Sequence, residues 1–80
     1  MEDRVVLTSR EIEVLGLVAN GLSSKEAAYR LAIDYRTVDR HVENVRIKTR
    51  TRNRSHMIAH VIGHGLLAVT SVRGAGSKDV

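Results

Sequence analysis

Four residues spaced along one segment carry the chemistry of this chain: Arg36, Asp39, Arg40 and Glu43. Rotating by about 100° per residue, a helix through this segment turns Arg36, Arg40, Glu43 and Ile47 outward, with Asp39 and Arg50 at the edges of that face. An arginine fork can bind guanine O6 and N7 together, and a carboxylate can accept from the exocyclic amine of cytosine. Arg40 is the best placed for such readout, with Arg36 close behind; either could instead clamp a phosphate. The opposite face is Val38, Val42, Val45 and Thr49, at spacings of four, three and four, so one side is built for a core. Thr37, His41, Asn44 and Lys48 line a flank between the two.

Around this segment the basic residues gather. Between Asn44 and Arg54 stand five of them, Arg46, Lys48, Arg50, Arg52 and Arg54, and no acid. Such a stripe attracts a phosphate backbone, and on its own it would read only as a solvated charged face. We assign Lys25, Thr37, Asn44, Lys48, Arg50, Arg52 and Arg54 to phosphates, which position a duplex without reading it.

The elements needed to hold these groups are legible in the capping signals. Thr8 and Glu11 form a capping box that opens a first helix, with Leu7 as a staple. Ile12, Leu15, Val18, Ala19 and Leu22 recur there at helical spacing, and Asn20-Gly21 supplies a left-handed exit. A second box, Ser23 with Glu26, opens a short helix containing Ala27, Ala28 and Leu31. Ile33 fills a turn, and Asp34 caps the third helix, which runs from about Tyr35 to Arg50. A fourth is predicted from a cap at Asn53 to Gly65, with Met57, Ile58, Val61 and Ile62 as its apolar stripe. A short helix, a tight turn and a second helix rich in arginine is the sequence form of a helix-turn-helix, whose second helix enters the major groove of duplex DNA.

Composition narrows the alternatives. Eighty residues make one small domain, with little room for a catalytic pocket beside a full core. There is no cysteine, which removes disulfides and thiolate zinc sites. There is no proline, phenylalanine or tryptophan, and Tyr29 and Tyr35 are the only aromatics. That balance favours helices and disfavours recognition by stacking on single strands. No apolar run approaches the roughly 18–20 residues that span a bilayer, and Met1-Glu2-Asp3-Arg4 does not open a signal peptide; the expected location is the cytoplasm. No nucleophile–base pair or phosphate-cradling loop points to an enzyme, so no catalytic residue and no cofactor is expected. His56, His60 and His64 share one face of the fourth helix. Two such histidines can ligate zinc, but with no cysteine and no acid nearby in sequence a polar face is the better reading and no metal site is expected.

With these residues in place, the chain resembles the LuxR-type (FixJ/LuxR, GerE-like) helix-turn-helix of bacterial transcription regulators. The residues that carry the resemblance are Leu7-Thr8-x-Arg10-Glu11-x-Glu13-Val14-Leu15, Ala19-x-Gly21-Leu22-Ser23-x-Lys25-Glu26-x-Ala28 and Leu31-x-Ile33, followed by Thr37-Val38, His41, Asn44, Lys48 and Arg54. The resemblance implies an all-α, four-helix domain over residues 7–67, after a short lead (1–6) and before a tail (68–80) expected to be disordered towards its end. It also implies double-stranded DNA as partner and a homodimer through helix four, for which Ile58, Val61 and Ile62 are the candidate residues. Because the chain begins almost at helix one, it reads as a stand-alone domain or a fragment of something longer.

Some positions depart from the family pattern. Asp39 stands where a basic residue is common, and Glu43 where a basic or neutral one is. Thr49 replaces a usual leucine and Thr51 a usual aliphatic, which predicts looser packing at the end of helix three. The two carboxylates motivate an alternative function, a protein-interaction module of the same fold that docks on RNA polymerase or another regulator.

Overall fold

The computed structural model describes residues 5–67, and the expectations for Met1–Arg4 and for the tail from residue 68 fall outside that range. Among the described residues there are four helices and no strand: α1 (Ser9–Ala19), α2 (Ser24–Leu31), α3 (Tyr35–Thr49) and α4 (Arg54–Gly63).

Each boundary has a local cause. At α1 the Thr8 hydroxyl accepts from the Glu11 N–H at 3.1 Å, and the Glu11 carboxylate accepts from the Thr8 N–H at 2.9 Å. Ser23 and Glu26 repeat the arrangement at α2. Asp34 and Asn53 cap α3 and α4 through the N–H groups of Arg36 and His56. These partners satisfy donors that a helix start leaves orphaned. Gly21 (φ +94°) carries the chain out of α1, as Asn20-Gly21 predicted. The other exits differ slightly from expectation. Arg50, expected inside α3, terminates it in a left-handed conformation (φ +57°), and α4 stops at Gly63, two residues before the predicted Gly65. Gly65 itself takes φ +74°, letting the Leu66 N–H return to the Val61 carbonyl at 2.8 Å.

α3 is the central element, packed against each of the other three helices. Val38, Val42 and Val45 are buried on its inner face, as the spacing predicted. Ala27 and Ala28 are buried opposite them; their small side chains let the α2 and α3 backbones approach. Met57 and Val61 close the core from α4. A fully buried valine, leucine or methionine here contributes about 1.5–3 kcal/mol.

The first helix corrects the sequence reading. Ile12, expected in the core, is 42% exposed, whereas Val14 is fully buried. The buried stripe is Glu11, Val14, Leu15 and Val18. It was hidden because one of its four positions is a glutamate, which in sequence marks a solvent face. The end of α3 differs too: Thr49 and Thr51 are 7% and 4% exposed. The Thr49 hydroxyl donates to the Val45 carbonyl at 2.9 Å and lies 2.9 Å from the Thr51 hydroxyl. The two threonines are thus buried with their hydroxyls hydrogen-bonded to each other, as buried polar groups require.

Candidate nucleic-acid interface

The outward face of α3 is where the sequence placed it. Arg36, Asp39, Arg40, Glu43, Asn44 and Ile47 are all exposed. Their charges, however, are not equally available. The Arg36 Nε donates to the Asp34 carboxylate at 3.2 Å, beside the cap bond that the same carboxylate accepts from the Arg36 N–H. The Arg36 side-chain hydrogen bond, with the backbone one, holds the Asp34 carboxyl below the usual aspartate value. The Arg46 Nε donates to Glu43 at 3.0 Å, and that hydrogen bond holds the Glu43 carboxyl below its ordinary value. Asp39 accepts from the Ser24 hydroxyl and lies 3.7 Å from the Arg54 guanidinium. Among the described residues the ion pairs employ Arg10, Arg36, Arg46, Lys48 and Arg54. Arg40 is in none of them, so its exposed guanidinium has no carboxylate partner among the described residues.

The basic stripe divides in the same way. Arg46 is turned inward: besides Glu43, its Nη1 donates to the Thr51 carbonyl at 2.7 Å, tying the α3 exit to the helix body. Lys48, expected at a phosphate, donates to the Glu11 carboxylate at 2.7 Å and to the Val6 carbonyl at 3.0 Å. Its charge offsets a glutamate that the fold buries. Arg54 faces Asp39. Of the five stripe residues, Arg50 and Arg52 are the two outside the ion pairs of the described residues, and both are exposed.

Lys25 comes into the site through α2. Its ammonium stands 5.4 Å from the centre of the Tyr35 ring, a cation–π distance that joins the start of α2 to the start of α3. Thr37, in the first turn of α3, is half-buried. The structure therefore brings Ser24, Asp39 and Arg54 together from three helices, sets Lys25 of α2 against Tyr35 of α3, leaves Arg40 exposed on α3, and pairs Lys48 with Glu11. Sequence reasoning missed Ser24 and Tyr35. Ser24 was hidden inside a capping box, and Tyr35 carried no signal beyond being aromatic at the first position of α3.

At α4 and its C-cap, His64, the three histidines do not act alike. The His56 Nδ1 accepts from the Arg52 N–H at 3.1 Å. His60 and His64 stack, with ring centroids 4.1 Å apart and planes 23° from parallel. Burial, and then the neighbouring His64 and His56, hold the His60 imidazole below its usual value. Among the described residues no three His, Cys, Asp or Glu side chains converge as metal ligands. Of the residues expected to meet a second copy, Val61 is enclosed in the protomer's own core at 0% exposure. Val61 therefore leaves that candidate face, and Ile58 and Ile62 stay half-buried on it.

Comparison with known proteins agrees with the four-helix fold. A family model described as bacterial regulatory proteins, luxR family, matches residues 5–61. The chain is 38% identical over 64 residues to a probable transcriptional regulator, ycf29, of Cyanophora paradoxa, covering 80% of this chain and 30% of that protein. It is 36% identical over 62 residues to the response regulator protein VraR of Staphylococcus aureus, covering 78% and 30%. The chain thus spans less than a third of the length of these relatives. Among solved structures, that of the transcription factor GerE superposes with a TM-score of 0.76 at 32% identity, covering 81% of this chain and 97% of that one.

Proposed function

The chain belongs to the luxR family of bacterial regulatory proteins, a family of helix-turn-helix DNA-binding domains, and from that premise we propose that residues 7–67 form a domain that binds double-stranded DNA sequence-specifically, as a homodimer, to regulate transcription in the cytoplasm. The observation that carries the reading is the exposed face of α3, opposite its core face of valines, which presents Arg40 without a carboxylate partner among the described residues. α3 enters the major groove and Arg40 reads a guanine, with Arg36 and Glu43 able to reach bases only by exchanging their internal partners. Lys25, Thr37, Asn44, Arg50 and Arg52 meet phosphates. A second copy, meeting the first across Ile58 and Ile62 of α4, places two such helices on two half-sites and multiplies a weak single contact.

The rival reading, docking on RNA polymerase or another regulator, rests on Asp39 and Glu43. Both carboxylates have cationic partners within the protein, so neither presents a bare negative charge to a partner, and we favour DNA.

The test is a titration of fluorescent random-sequence duplex at several salt concentrations, followed by site selection. Counterion release predicts that log K falls linearly with log salt, with a slope of about −0.9 per phosphate contacted. A complex insensitive to salt, or none at low salt, would overturn the proposal. Sedimentation with and without a selected two-half-site duplex tests the dimer: one protomer per duplex at saturation would remove it.

A further inference from the structure

Asp39 sits among the residues expected to face bases, yet its carboxylate is engaged along the protein surface. It accepts from the Ser24 hydroxyl and stands 3.7 Å from Nη2 of Arg54. The same Nη2 donates to the Ser24 hydroxyl oxygen at 3.3 Å. Three helices meet in this triad, since Ser24 is the first residue of α2, Asp39 lies in the second turn of α3, and Arg54 is the first residue of α4.

We propose that Asp39 is a positioning residue that holds Arg54 away from DNA, an internal carboxylate competing with backbone phosphate for one guanidinium. The inference rests on the DNA-binding reading and concerns how that site is restrained. A guanidinium takes carboxylate and phosphate oxygens through the same kind of N–H donor, so a phosphate approaching the Nη2 edge of Arg54 competes with Asp39 for it. The Arg54 and Asp39 side chains are 43% and 51% exposed. Both are therefore hydrated and salt-screened, and the pair exchanges readily. A phosphate arriving at Arg54 must displace Asp39 and then bear its repulsion. Arg54 consequently adds little to sequence-independent affinity, while Arg40, which has no carboxylate partner among the described residues, keeps its contribution to base choice. The device lowers binding to arbitrary DNA more than binding to a preferred site, which raises the specificity ratio.

The experiment is a double-mutant cycle on random-sequence duplex across a range of salt concentrations, using the unmodified chain, Asp39→Asn, Arg54→Gln and the double variant. Asparagine keeps the shape of the side chain and can still accept from Ser24, and thermal unfolding confirms that each protein is folded. Asp39→Asn is expected to tighten binding about threefold to tenfold and to steepen the salt slope by about 0.9, the value of one added phosphate contact. Arg54→Gln alone should leave the slope nearly unchanged, and in the double variant the gain should vanish. Tightening that persists in full with Arg54→Gln would show a general charge effect and overturn the proposal. So would weaker binding by Asp39→Asn. Binding by the unmodified chain with no change on Asp39→Asn removes this inference alone, whereas no binding by any of the four removes the DNA reading with it.

Discussion

The ammonium of Lys48 lies 2.7 Å from the carboxylate of Glu11, whose side chain is only 5% exposed. The Glu11 carboxylate also accepts the Thr8 N–H of the α1 cap, and Lys48 reaches the Val6 carbonyl. These three contacts link the segment before α1, the start of α1 and the end of α3. A buried carboxylate is tolerated only when paired and hydrogen-bonded, and Lys48 supplies the pairing.

Lys48→Ala should therefore act on stability. Leaving Glu11 with the Thr8 donor alone costs about 1–3 kcal/mol, and in a domain of this size each kcal/mol lowers Tm by roughly 4–8 °C. The salt slope of DNA binding, measured well below Tm, should stay as it is. An unchanged Tm with a shallower slope would return Lys48 to the phosphates.

The same pair sets an acid limit. Burial pushes the Glu11 carboxyl up, but the hydrogen bonds from Lys48 and Thr8 and the Lys48 charge outweigh it, leaving the carboxyl below its ordinary value. The unfolded chain therefore takes up the proton more readily than the folded one. Stability from this pair is fully present above the unfolded value, about 4.3, and is lost as pH falls through the lower folded value. Denaturant midpoints followed downward from neutral pH should drop across that window. Glu11→Gln should lower stability at neutral pH and make the remaining dependence shallower; a variant with the full acid slope would assign it elsewhere.

Arg40→Ala and Arg50→Ala should separate reading from positioning. A bidentate arginine–guanine contact is worth about 1–3 kcal/mol of discrimination, so Arg40→Ala should cut the preference for a selected site roughly fivefold to 150-fold. Arg50→Ala should weaken all duplexes alike and reduce the salt slope by about 0.9. Competition titrations with selected and random duplexes measure both, and identical behaviour of the two variants would discard the division.

Thr49 and Thr51 make a hydroxyl pair inside the core. Thr49→Val strips Thr51 of that partner, leaving only the 3.4 Å approach to the Arg46 carbonyl, and should cost about 1–3 kcal/mol. Changing both threonines to valine removes donor and acceptor together and should recover most of that loss. Urea unfolding of the two single variants and the double variant reads the cycle; additive losses would mean the hydroxyls act independently.

The sequence by itself determined the four helices, their caps and the inner face of α3. These depend on interactions between residues a few positions apart: Thr8 with Glu11, Ser23 with Glu26, Asp34 with the start of α3, and valines repeating at helical spacing. It also determined which side of α3 faces outward, because apolar Val38, Val42 and Val45 leave Arg36, Arg40 and Glu43 no other side. Only the tertiary structure decided what the charges do. Whether Lys48 meets a phosphate or Glu11 depends on a residue 37 positions away, and whether Asp39 faces a base or Arg54 depends on how α4 returns beside α2 and α3. Burial behaved likewise: Ile12 and Val14 are both apolar, and the packing of α1 against the rest of the fold chose Val14 for the core together with a glutamate. Helical periodicity and capping are local and survive in the sequence, whereas ion pairing and burial are properties of approach between distant segments.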